Sequence, residues 1–332
     1  MTRPPAIDIH AHFYPQAMLD LIEREGARHG GSVDRTNPRG PILEAKGART
    51  APLRAPFIDV ELRKKEMDKQ GVRLHALSLT APMVYWAEPE FGVRMARAFN
   101  DAVVAAHRAY PERFVGLLTL PLQEPKLALE ELDRAAPLPG VAGVYLGTNI
   151  RGRELSTPEF FPVYERMQAL KLPLLLHPLD VLGGPRLGAF YLSNLLGNPF
   201  DNAVAAAHLI FGGVLDRFPK LKVCLPHAGG AFPYLVGRLT RGWKARPECR
   251  HLKRPPTAYL RRFWYDTITH APEPLHYLID LVGADRVMIG SDYCFDMGYE
   301  RPVEVVTKLG GLSRADQGRI LGENAARFLR LR

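Results

Sequence analysis

Cysteine is scarce here: Cys224, Cys249 and Cys294 are the three in 332 residues. An odd number of unevenly spaced thiols builds no disulfide framework. Long apolar runs are missing too, and the longest fall far below the ~18 residues a membrane span needs. Near the start, Pro4, Pro5, Asp8 and His10 interrupt any apolar core of a secretory leader, so the expectation is a cytoplasmic protein with no membrane partner. Blocks of like charge are also lacking. The formal charge is +9, yet the bases are interleaved with acids and aromatics. No zinc-finger, RNA-binding or phosphate-loop pattern accompanies them, so nothing supports a nucleic-acid partner. The densest basic stretch, residues 238–262, reads either as a solvated surface or as an attractor of small anionic substrates.

What remains is an ordinary globular composition, 46% hydrophobic and 24% charged, on a chain long enough for one large core or two smaller ones. The most informative stretch is Ile7-Asp8-Ile9-His10-Ala11-His12. Isoleucines alternate with polar residues, which is the period of a strand. Successive strand side chains point to opposite faces, so His10 and His12 share one face about 7 Å apart. Phe13, Tyr14 and Pro15 then break the run. Two imidazoles at the end of a strand are a natural half of a metal site, although a two-histidine motif this short also arises by accident.

Beyond it, residues 16–37 read as a helix followed by a turn at Gly30-Gly31, and residues 38–56 as an irregular stretch without period. Asp59 caps a helix that Gly71 stops. From there strands over 74–79, 114–120, 141–146, 172–177, 221–227, 263–267 and 287–292 alternate with helices. These include a long helix over 91–110, one opened by the capping-box pattern Ser156-Thr157-Pro158-Glu159, and one within 200–218. Eight strands, each followed by a helix or loop, predict a parallel sheet closed into a (β/α)8 TIM barrel. An open doubly wound sheet is the alternative, but its Gly-rich phosphate fingerprint is replaced after the first strand by His10 and His12. We read residues 1–332 as one domain, with a small irregular insertion after strand 1 at about 14–58.

In such a barrel function sits at the C-terminal strand ends. There the chain carries His10 and His12 on the first strand, His177 on the fifth, His227 on the sixth and Asp292 on the eighth. Each alone could be a satisfied core residue; five at one mouth point to a site. The other histidines fall on helices, strand starts or loops and are read as structural, with His270 kept as a possible substrate contact.

These residues resemble the amidohydrolase superfamily, within it the branch of aminocarboxymuconate-semialdehyde decarboxylase. The likeness rests on Ile-Asp-Ile-His-Ala-His, Glu66-Met67-Asp68, Arg113-Phe114-Val115-Gly116, Leu176-His177-Pro178, the stretch 212–238 and Gly290-Ser291-Asp292-Tyr293. It implies a distorted barrel holding one divalent metal, usually zinc, on His10, His12, His177 and Asp292. His227 would be the catalytic acid/base beside it, with Asp292 also catalytic. Manganese or iron would suit the same donors. Strand 4 carries no lysine to bridge two metals, so a single ion is expected. The resemblance further implies a cofactor-free decarboxylase of a small unsaturated or aromatic acid, with Arg238 clamping a carboxylate across a homodimer. A second substrate arginine would be Arg49 or Arg54, and Trp86 is grouped with them as a substrate contact. Because fold and metal do not fix a reaction, a hydrolase of a C–N, ester or C–C bond is the alternative. Departures from the branch put Leu179 after His177-Pro178, and Cys294 and Asp296 near the metal.

Overall fold

In the computed structural model, which describes residues 5–331, strand β1 runs over Ile7–His12 with all six residues buried. Pro4, which the sequence places before it, lies outside the described residues. Helix α1 (Gln16–Glu25) leads to three short antiparallel strands, β2 (Gly31–Asp34), β3 (Ile42–Ala45) and β4 (Ala48–Arg49). This corrects the expectation of irregular chain over 38–56. Strands of two to four residues show too few alternations to rise above the proline and glycine between them. The small sheet is tied to the barrel through Trp86, whose ring lies on Gly31; a Cβ there would sit 2.4 Å from the indole, so only glycine permits the contact.

Helix α2 (Val60–Gln70) starts where the Asp59 carboxylate accepts the Glu61 and Leu62 N–H groups, and ends at Gly71 with φ 72°. Then come β5 (Leu74–Ser78), α3 (Pro89–Ala109), β6 (Phe114–Thr119), α4 (Pro125–Ala135) and β7 (Val141–Gly147). A small ribbon, β8 (Asn149–Ile150) and β9 (Arg153–Glu154), precedes α5 (Phe161–Leu170) and β10 (Leu174–His177). Next are α6 (Asn198–Phe211), α7 (Val214–Arg217), β11 (Val223–Leu225), α8 (Phe232–Ala245) and β12 (Phe263–Asp266). The chain finishes with α9 (Pro272–Val282), β13 (Val287–Met288), α10 (Pro302–Thr307), α11 (Arg314–Gly318) and α12 (Asn324–Leu329).

Eight strands pair in parallel in the order β1-β5-β6-β7-β10-β11-β12-β13. The ends meet: Ile9 N–H donates to Ile289 O at 3.0 Å, Asp292 N–H to His10 O at 2.9 Å and His12 N–H to Tyr293 O at 2.6 Å. The expected α/β barrel is therefore present, with its core of strand and helix side chains in one continuous cluster.

Three local expectations change. The helix within 200–218 divides at Gly212-Gly213, where Gly213 adopts φ 72°. The capping box at 156–159 does not form: Ser156 Oγ meets His208 Nδ1 at 3.0 Å, and α-helix begins at Phe161. The sixth and eighth strands are shorter than 221–227 and 287–292, ending at Leu225 and Met288. Pro226 has no N–H for a ladder, and beyond Met288 the backbone turns its hydrogen bonds to the seam with β1. His227 and Asp292 thus stand on turns just past their strands.

Candidate active site

β1 carries His10 and His12 to the barrel mouth, β10 ends in His177, and the turns after β11 and β13 present His227 and Asp292. One ligand atom each from His10, His177, His227 and Asp292 lie within 4.8 Å of one another. His12 joins them through Nε2, 2.8 Å from Asp292 Oδ1. Four of the imidazole pairs pack edge to face and His10–His227 is tilted, with centroid separations of 4.9 to 5.6 Å. All five predicted residues therefore converge.

Hydrogen bonds fix which ring nitrogen faces the site. His10 Nδ1 is 2.8 Å from Asp266 Oδ2; a carboxylate only accepts, so Nδ1 carries the hydrogen. Among the described residues His10 Nε2 is left buried without a hydrogen-bond partner, 3.4 Å from Asp292 Oδ1. His177 Nδ1 lies 3.0 Å from the Pro178 carbonyl, which again places its hydrogen there and turns the Nε2 lone pair inward. His227 is the reverse. Asn202 Nδ2 donates to the Pro226 carbonyl at 3.0 Å, which settles the orientation of that amide, and the same nitrogen stands 3.3 Å from His227 Nδ1. Nδ1 of His227 therefore accepts, and the neutral ring bears its hydrogen on Nε2, 3.9 Å from Asp292 Oδ2. His12 Nε2 donates to Asp292 Oδ1, and Nδ1 meets Ser78 Oγ at 3.1 Å, a hydroxyl that can accept the ring hydrogen at Nδ1 and so free the Nε2 lone pair for an ion.

The electrostatics favour a cation. Burial disfavours the His10 imidazolium, but the Asp266 hydrogen bond and the charges of Asp292, Asp266 and Asp8 outweigh it and raise its pKa. Burial, reinforced by His10 and His227, holds His12 down to about 4, and burial with the surrounding imidazoles keeps His177 well below its usual value. Burial opposes the charge of Asp292, yet the His12 hydrogen bond and the neighbouring imidazoles keep it well below the usual carboxylate range. Neutral His12 and His177 beside an ionised Asp292 suit a divalent ion, and the acidic surroundings that raise the His10 pKa favour a positive charge at that ring, from a proton or a metal. The orphaned His10 Nε2 supplies a ligand atom with nothing else to bind, so the donor set fits a metal.

Two cavities flank this centre and share Asp292, Asn194 and Asn198. One, of about 520 Å³, lies on the His177 side and is lined by Tyr85, Trp86, Lys46, Arg49 and Arg151. The other, of about 630 Å³, lies on the His227 side and includes Ile268, His270, Tyr277 and Met297. Trp86 lines the first cavity, with its Nε1–H held by the Met83 carbonyl. Arg54 lines neither cavity; it donates to the Cys294 carbonyl, while Arg49 reaches the first cavity. Arg238 is exposed on α8 and lines neither cavity of this chain. Cys294 is buried against Arg63 Nη2 at 3.5 Å, and Asp296 is exposed.

The sequence reading missed Asp266 and Asn202. Asp266 ends the seventh strand, so the strand-end rule that found the other five would have found it too. Asn202 lies within α6, where no pattern marks it.

Similarity to known proteins runs over nearly the whole chain. Residues 7–331 match the amidohydrolase family. The chain is 32% identical over 329 residues to 2-amino-3-carboxymuconate-6-semialdehyde decarboxylase of Dictyostelium discoideum, covering 98% of this chain and 91% of that protein. The structure of 5-carboxyvanillate decarboxylase from Sphingomonas paucimobilis is similar at a TM-score of 0.85 and 26% identity, over 99% of each chain. Dihydroxybenzoic acid decarboxylase from Polaromonas sp. JS666, solved with bound manganese and the inhibitor 2-nitroresorcinol, gives 0.80 and 25%, over 99% of this chain and 97% of that one.

Proposed function

The chain belongs to the amidohydrolase family, and from that membership we propose a metal-dependent decarboxylase of small unsaturated or aromatic carboxylic acids that uses no organic cofactor. The observation that carries the proposal is the convergence of His10, His177, His227 and Asp292 on one point, with His12 against Asp292. The relatives are named decarboxylases, which does not favour hydrolysis on this scaffold.

In this reading His10, His12, His177 and Asp292 hold a single divalent ion, and zinc is our choice, with manganese present in two of the similar structures. When bound, the ion polarises substrate oxygens as a Lewis acid. His227 does the proton work. Its Nε2–H faces the site; the ring, protonated from solvent, delivers that proton to the carbon bearing the carboxylate and is left neutral. The carbon–carbon bond then breaks, its electron pair returns to the skeleton, and carbon dioxide leaves. Lys46, Arg49 and Arg151 at the first cavity draw in the anion, and Trp86 and Tyr85 supply flat apolar walls for a planar substrate.

We further infer one barrel domain in a cytoplasmic homodimer, with Arg238 reaching the neighbouring subunit's site. Tyr234, one turn before Arg238 on α8, is 81% exposed, and Phe190 is 87% exposed, which suits a covered face. The test is carbon dioxide release by metal-loaded protein from 2-amino-3-carboxymuconate-6-semialdehyde, gamma-resorcylate and 5-carboxyvanillate. Release from at least one acid, lost on chelation and restored by zinc or manganese, is the expected result. An amine, an alcohol or a split carbon skeleton in place of carbon dioxide would overturn it.

A further inference from the structure

One carboxylate touches both halves of the site. Asp266, the last residue of β12, is fully buried, and its four hydrogen bonds go to the metal side, to the acid/base turn and to its own following turn. Oδ2 accepts from His10 Nδ1 at 2.8 Å and from the His227 backbone N–H at 3.0 Å. Oδ1 accepts from the N–H of Ala228 at 2.7 Å and of Ile268 at 3.1 Å. Gly290 makes room for it: a Cβ at that position would lie 2.7 Å from Asp266 Cβ.

Each contact does something the site needs. Being an acceptor, the carboxylate places the His10 hydrogen on Nδ1 and leaves the Nε2 lone pair facing inward, at the atom that has no other partner. His227 and Ala228 are consecutive non-glycine residues with φ of 51° and 55°. Left-handed backbone costs about 1 kcal/mol or more at each such residue, so this turn must be held from outside. Asp266 accepts the N–H of both.

We propose that Asp266 is a positioning residue that couples the two halves of the site, setting the tautomer of His10 for the metal and, through the same carboxylate, the turn that presents His227. This rests on the metal-dependent reading above. An asparagine of equal size keeps an acceptor for Ala228 but turns an NH2 toward the hydrogens of His10 and His227. His10 escapes the clash by moving its own hydrogen to Nε2, which removes the ligand lone pair.

The experiment compares wild type with Asp266→Asn by titrating Zn2+ against a chromogenic chelator, then measures kcat and KM at saturating Zn2+ on whichever acid the wild type decarboxylates. Zn2+ affinity is expected to fall roughly 10- to 100-fold. Saturating Zn2+ is expected to leave kcat at least about tenfold low while KM moves little, because the His227 turn stays displaced. A second measurement does not depend on the variant folding. Long-range 1H–15N correlation of histidine-labelled, metal-free wild type at mildly alkaline pH, assigned with His10→Ala, should show His10 protonated on Nδ1. Finding the hydrogen on Nε2 would overturn the proposal. So would an Asn variant with wild-type Zn2+ affinity and kcat and only a lower melting temperature. A wild type that binds no Zn2+ would sink the metal reading and this proposal with it; the other two outcomes sink this proposal alone.

Discussion

The proposed division of labour between His227 and the residues assigned as metal ligands is best tested by His227→Ala. The four-residue cluster that includes His227 and omits His12 permits a rival arrangement, in which His227 is itself a ligand. The hydrogen-bond pattern argues against that arrangement, because Asn202 donates to Nδ1 and leaves a hydrogen, not a lone pair, on Nε2. Removing the ring should therefore cost the proton transfer and spare the ion. General acid catalysis is worth about 10²–10⁴ in kcat, or about 3–5.5 kcal/mol of barrier. The cost in folding should be small, about 1 kcal/mol or less, since the side chain is 12% exposed and borders the second cavity. The assays are metal content per chain by elemental analysis, and carbon dioxide release at saturating substrate. The expected variant holds one ion per chain, melts within a few degrees of wild type and turns over at least a hundredfold more slowly. Metal content that falls in step with kcat would refute the reasoning and make His227 a ligand. A kcat within threefold of wild type would refute its role as the acid.

His10→Ala should behave oppositely, losing bound metal and activity together; retention of one ion per chain in elemental analysis would contradict it. Arg49→Ala should raise KM about tenfold with kcat nearly unchanged, since Arg49 lines the cavity away from the reacting centre; steady-state kinetics check this. Asp201 gives a pH test. Burial, against the hydrogen bonds from Thr148 and Leu182, raises its pKa from 3.8 to about 6. The folded state therefore keeps a proton that the unfolded chain gives up, so stability from this group is greatest below about pH 4 and is lost as pH rises toward 6. Asp201→Asn should remove that slope, gaining at most about 3 kcal/mol over wild type between these limits, as read from denaturant melts of metal-free protein.

Much of this was legible in the chain because a parallel strand is buried on both faces. Its interior must be apolar, so a polar residue at its end stands out, as His177 does after Leu174-Leu175-Leu176. The insertion was not legible, because strands as short as Ala48–Arg49 carry no period. Asp266 was visible as a strand-end residue, but its role was not: that role lies in partners on the first strand and on the turn after the sixth, and no local pattern announces contacts across 256 residues. The choice between Arg49 and Arg54 was equally closed, since both sit in exposed chain and only the folded sheet turns one of them toward the cavity.

The seam between β1 and the segment after β13 has a further meaning. Asp292 N–H to His10 O and His12 N–H to Tyr293 O are the stitches that complete the cylinder, and they are made by the same residues that gather the ligand atoms. Joining them demands that chain some 280 residues apart be brought together, which is the slowest kind of contact to form. On the proposed reading, a nascent chain that has not yet reached Asp292 therefore lacks a complete metal site. If that reading holds, chemical competence arrives with topological completion, and a fragment ending before Asp292 is expected to be inert however well its earlier strands fold.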